Sequence, residues 1–243
     1  MKSGNPVLNG KVFQDVGVSD DRMTLPGTVN KTAMMLALVL ITAMWTWGKF
    51  FQTGNPADVA PLMMIGMVGG LVFALITVFV KKAAPITAPI YALLEGLALG
   101  GISALYEQKS GGIVIQAVGL TFGTMACLLL AYRSGWIRAT EKFKLGVISA
   151  TGGIALLYLV DLVMAYFNHP IGFIHDAGPA GILFSLVVVG IAALNLILDF
   201  DFVETGVRVG SPKYMEWYAA FGLTVTLIWL YLEMLRLLSK ARR

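Results

Sequence analysis

Seven stretches of this chain run for eighteen residues or more with at most two charges each, at 32–51, 61–80, 87–106, 113–132, 145–167, 181–198 and 217–238. Each can cross ~30 Å of hydrocarbon as a helix rising ~1.5 Å per residue. A soluble core of this length would alternate apolar and polar faces, and these windows do not. Composition agrees: 57% of the residues are hydrophobic and 13% charged, with a mean hydropathy of +0.77, outside the ordinary soluble range. The connections are short and carry Gly or Pro, as at Gly54-Asn55-Pro56, Pro85, Gly111-Gly112, His169-Pro170 and Gly210-Ser211-Pro212. The expected fold is all-α and integral to the bilayer, a seven-transmembrane-helix bundle.

Residues 1–30 read as a polar cytoplasmic tail ahead of a transmembrane domain at 31–243. The tail lacks the apolar core of a secretory signal peptide, so the first span is expected to act as the targeting signal. Pro26-Gly27 reads as a turn before the first helix. Basic residues set the orientation. Lys81, Lys82, Arg133, Arg138, Lys142, Lys144, Arg208 and Lys213 share one side with Lys2, Lys11, Arg22 and Lys31, against only Lys49 and Lys109 in the opposite loops. The N-terminus is therefore expected inside; seven spans then put the basic C-terminal residues Lys240, Arg242 and Arg243 outside, a mild conflict with the same rule. The net charge of +4 follows from this topology and from no basic groove, which argues against nucleic acid. The lone Cys127 excludes disulfides and thiolate clusters and reads as a packed small residue.

Gly66 with Gly70, Gly96 with Gly100, and Ser149 with Gly153 have the four-residue spacing of close helix–helix packing faces. Trp45, Trp47, Trp136 and Trp217 fall near span ends, as interfacial anchors do.

Acids within apolar spans are the candidates for chemistry. Counted from the inner ends, Glu95 lies ~14 Å deep, Asp161 and Glu233 ~24 Å deep, and Asp199 within a few Å of the cytoplasmic rim. Each should be protonated, paired or turned to an internal cavity, and such a group can take up protons or Ca²⁺. Structural readings compete. Glu233 precedes Arg236 by about one turn, an intrahelical ion pair. Asp161 has no local cation and can simply accept a hydrogen bond from a neighbouring Tyr, Ser or Thr. Asn195 shares a face with Asp199 and can act with it or serve as interhelical glue. Asp201 and Glu204 read as solvated loop acids. Enzymatic function is not expected: no nucleophile elbow, zinc-binding helix motif, phosphate loop or Cys pair occurs, and His169 and His175 fall in one short outer loop.

Three ordered signatures carry a resemblance: Met-Thr-Leu-Pro-Gly-Thr-Val-Asn-Lys-Thr at 23–32, Tyr91-Ala-Leu-Leu-Glu95-Gly96 in the third span, and Leu198-Asp199-Phe200-Asp201 closing the sixth. With seven spans they resemble the Bax inhibitor-1 family of the transmembrane Bax inhibitor motif superfamily, most of all its bacterial YccA-like branch, over Met23 to the C-terminus. The resemblance implies six helices around a central seventh, an inner-membrane location, and a pH-sensitive Ca²⁺ leak governed by two aspartates and closed by a basic residue. One aspartate matches Asp199. The seventh-span position matches Thr226 when the Leu-Arg-Leu-Leu ending at 235–238 is aligned, and Glu233 when Leu-Tyr-Leu-Glu is aligned; depth favours Thr226. Lys81 or Lys82 matches the basic residue, and Asp199 with Glu95 would then be the Ca²⁺ ligands. No cofactor is expected beyond Ca²⁺ as permeant ion. The alternative function is a non-conducting regulator that binds a membrane protease or stress-response partner through the N-terminal tail.

Overall fold

A computed structural model describes residues 21–169 and 171–242. Eight α-helices follow in order: α1 Leu25–Thr53, α2 Ala60–Phe79, α3 Ala84–Lys109, α4 Ile113–Arg133, α5 Glu141–Tyr166, the four-residue α6 Gly172–His175, α7 Pro179–Arg208 and α8 Met215–Ala241. The sixth and seventh spans are thus α7 and α8. Among the described residues the only bridge outside helices is an isolated antiparallel one between Arg22 and Pro212. All seven long helices are long and apolar enough to cross a membrane. The protein is a multi-pass, all-helical membrane protein. Of the expected tail, residues 1–20 lie outside the described residues.

Helix ends depart farthest from the hydropathy boundaries at two places, the start of α1 and the end of α7. Pro26-Gly27 is not a turn before α1 but its first turn. Thr24, extended at φ −124°, caps the helix by accepting from Gly27 N, and Pro26 occupies the opening turn where its missing N–H costs nothing. The sixth span does not stop at Leu198; α7 continues ten residues to Arg208. Apolar character ends at the first acid, but a helix needs only satisfied backbone and tolerable side chains. Both are available, because Asp201 pairs with Lys144 at 2.8 Å and Glu204 pairs with Arg208 one turn on at 2.8 Å. Asp201 and Glu204 are therefore helical and paired, not loop acids.

The described residues fall into two compact units. In the N-terminal unit (21–111 and 203–225), α1 and α2 both pack on α3. Glycine makes the approach possible. A Cβ on Gly66 would lie 2.5 Å from Leu94 O and 2.7 Å from Ala98 N, and a Cβ on Gly96 or Gly100 would run into the α1 backbone at Val39 O or Ala43 O. Tyr91 meets Phe221 edge to face at 4.9 Å.

The C-terminal unit (112–202 and 226–242) contains α4, α5, α6 and most of α7 and α8. The expected packing face at Ser149 and Gly153 is absent, since nothing lies within 4 Å of a Cβ on Gly153. Cys127 is exposed, not packed; its helix, α4, turns side chains such as Ile115 and Leu130 outward. More than half of the apolar windows of α3, α7 and α8 are buried, with α8 highest at 61%, against less than a quarter for the other four. The outward apolar side chains of those four helices have lipid as their solvent.

Candidate functional site

In the C-terminal unit, α5 carries Lys144, Thr151 and Tyr158 at seven-residue intervals. That spacing returns to one face every two turns, ~10.5 Å apart, so the three form a stripe ~21 Å long. Each meets a polar partner. Lys144 Nζ lies 2.8 Å from Asp201 Oδ2 and 3.4 Å from Glu141 Oε1. Thr151 Oγ1 accepts from Asn195 Nδ2 at 2.8 Å. Tyr158 OH donates to Glu233 Oε1 at 2.9 Å. The α7 numbers fall from 201 to 195 as the α5 numbers rise, so the two helices run antiparallel along a polar seam.

Asn195 is oriented without ambiguity. The group 2.8 Å from Ile191 O must be the amide nitrogen, because a carbonyl only accepts. Both donor directions of Nδ2 are then used, on Ile191 O and Thr151 Oγ1, and Oδ1 is buried with no hydrogen-bond donor among the described residues. One turn further along α7, Asp199 is wholly buried at 0% exposure. It stands nine residues before the end of α7, ~13 Å along the axis. Asp199 therefore does not close the helix, which runs on beyond it. Thr226 is buried eleven residues into α8, ~16 Å from its start.

Glu233 is buried and holds Arg236 Nη1 at 3.0 Å, with Arg236 also donating to Tyr158 OH. The intrahelical pair read from the sequence is present, and Tyr158 extends it to α5. Asp161 is satisfied differently from the expectation. Its partners are His175 Nε2 at 2.8 Å and the backbone N–H of Ile171 at 2.8 Å, both beyond the end of α5.

The N-terminal unit holds Glu95, Lys81 and Lys82. Glu95 is half-buried on α3, with Oε2 2.7 Å from where a Gly70 Cβ would stand. Lys81 and Lys82 sit in a 3₁₀ turn, Lys81–Ala83, between α2 and α3. Among the described residues no group of three or more His, Cys, Asp and Glu side chains is gathered to hold a metal ion.

One node was missed from the sequence. Glu216, wholly buried in the first turn of α8, accepts from Thr24 N and Thr24 Oγ1 at 2.8 Å each and pairs with Lys31; Lys213 Nζ is 3.6 Å away. Lys31 also lies over the Trp217 ring, 5.6 Å from its centroid. Gly27 is required here, because a Cβ would occupy the space of the Glu216 carboxylate. An acid in a helix's first turn looks like an ordinary dipole partner; the signal was Lys31, the last residue but one of the 23–32 signature.

The Bax inhibitor 1 like family model matches residues 5–243. The chain belongs to this family. No curated protein and no solved structure matches it. In this Bax inhibitor 1 like chain the signature residues now have physical roles. Thr24, Gly27 and Lys31 build the Glu216 node, Tyr91 and Gly96 join α3 to Phe221 and α1, and Asp199 is the buried acid of α7.

Proposed function

We propose that this protein is a slow, pH-sensitive leak for Ca²⁺ or H⁺, with Asp199 as its carboxylate site. The observation that carries the proposal is a wholly buried Asp199 one turn along α7 from Asn195, whose Oδ1 is buried without a donor among the described residues. A carboxylate in a membrane interior is costly, so its place there is maintained for work on charge. Beside it stands a fixed neutral oxygen suited to a proton-bearing or cationic visitor. The polar stripe of α5 supplies a ~21 Å run of partners through an otherwise apolar unit. Glu95 is the second carboxylate assigned to ion handling, Thr226 occupies the helix position where the family places an aspartate, and Lys81 or Lys82 is the gating cation. Asp161, held by His175, and Glu233, held by Arg236, are assigned to the same pathway.

The reading extends to the YccA-like branch, to a bacterial inner membrane and to a cytoplasmic N-terminus, on the strength of the ordered signatures and the lysine and arginine asymmetry. It assigns no enzymatic step and no resident cofactor. The alternative, a non-conducting partner of a membrane protease, places function in the tail, of which residues 1–20 lie outside those described. Ca²⁺ and proton flux into liposomes at pH 6 and pH 8, with Asp199→Ala against the parent chain, tests the proposal: the variant is expected to lose the pH response, and equal behaviour of the two proteins overturns it.

A further inference from the structure

The turn between α5 and α7 is fastened at both ends by ionisable side chains from other helices. Asp161 of α5 lies under the start of α6, where Oδ1 accepts from the N–H of Ile171, the residue capping that helix. Lys240 of α8 lies under its end, where Nζ donates to Ile174 O at 2.7 Å, Gly181 O at 3.0 Å and Ser185 Oγ at 2.9 Å. The ammonium has three protons and three oxygen acceptors, so this buried charge is fully satisfied. A carboxylate at the N-terminal end and a cation at the C-terminal end match the direction of the backbone dipoles in the turn. His175 closes the arrangement, with Nε2 2.8 Å from Asp161 Oδ2. Its side chain is 57% exposed and that of Asp161 only 12%, so solvent reaches the imidazole while the acid stays covered.

We propose that residues 171–176 form an acid-tightened strap, in which His175 sets the grip on Asp161 and Lys240 is the second anchor. Imidazole is the side chain that gains charge between pH 8 and pH 5. When protonated, His175 makes a charge-assisted bond to Asp161; when neutral, it makes only an ordinary hydrogen bond, and the strap is held chiefly by the Ile171 N–H and Lys240. Acid thus tightens the strap and alkali loosens it. Asp161 on α5 faces His175 directly and Asp176 follows it in the chain; of the strap's two anchors, Asp161 also feels Arg236, and Lys240 feels Arg236, Glu233 and Asp176; α7 brings no titratable side chain over 179–198. This device is separate from Asp199 and stands whether or not the protein conducts.

Hydrogen–deuterium exchange of the full chain in nanodiscs at pH 6 and pH 8, corrected for the intrinsic pH dependence of exchange, reads the strap directly. Protection of the 171–176 amides is expected to fall about two- to fivefold from pH 6 to pH 8, the range of a partly exposed ion pair. His175→Gln, which keeps a hydrogen-bonding side chain but cannot titrate, should remove that difference, and His169→Gln should leave it intact. Lys240→Met should lower protection at both pH values and keep the ratio between them. A pH ratio unchanged in His175→Gln, or no ratio in the parent chain, overturns the proposal. If His175→Gln fails to fold, the imidazole titration of His175 followed by NMR in Asp161→Asn and parent chains decides: an unmoved midpoint overturns it and a lowered one supports it.

Discussion

Removing the Glu216 carboxylate should loosen the joint between the start of α1 and the start of α8. In Glu216→Ala, the Thr24 N–H and hydroxyl lose their acceptor, and Lys31, only 17% exposed, loses its anion. Breaking a buried pair from one side costs ~3–5 kcal/mol because the other charge is stranded. Since Lys31 keeps the Trp217 ring and Lys213 is itself 43% exposed, the lower end applies, about 3 kcal/mol. For a chain of this size that is a fall of roughly 6–12 °C in melting temperature.

Glu216→Gln keeps acceptors for Thr24 and removes only the charge, so it should lose about half as much. Lys31→Met combined with Glu216→Leu should lose less than the sum of its single changes, with a coupling of at least about 1.5 kcal/mol. The assay is the monodisperse fraction of detergent-solubilised protein after heating, read by size exclusion. A loss under about 2 °C for Glu216→Ala, or additive single changes, would refute the claim that this carboxylate is a shared anchor.

Two further outcomes concern stability. Gly96→Ala drives a methyl into the α1 backbone at Val39 O and should cost about 1–3 kcal/mol, whereas Gly153→Ala, with nothing within 4 Å, should cost nothing in the same heating assay. Lys144→Met leaves Asp201 on α7 without its cation at 2.8 Å and should cost about 1–2 kcal/mol; adding Asp201→Leu should recover most of it, and a double variant as weak as the single one would show that the pair is not the cause.

The spans were legible because hydrocarbon tolerates so few polar residues that seven apolar runs leave no other fold. Their ends were not. Hydropathy stops at Asp199, but whether a helix stops there depends on partners such as Lys144, which reaches Asp201 from 57 positions away in the chain. Local chemistry was readable where the partner is local: Glu233 and Arg236 are three residues apart and do pair. Asp161 finds His175 across a turn, and Glu216 finds Thr24 and Lys31 from the opposite end of the chain, so neither could be paired by spacing. Gly66 and Gly96 belonged to real contacts while Gly153 did not, because the four-residue spacing marks a face able to pack without saying that a neighbour is there. Asp199 was singled out from the sequence, but the helix was expected to close there and instead runs on to Arg208.

The central claim concerns charge at Asp199, and Asp199→Asn isolates it, because the amide keeps the shape of the side chain and cannot ionise. Ca²⁺ entry into liposomes holding equal amounts of folded protein should be measured at pH 6, 7 and 8 for both chains. The account predicts that the parent's flux changes with pH and that the Asn variant gives one flux at all three. A variant that follows the parent's pH profile would contradict it.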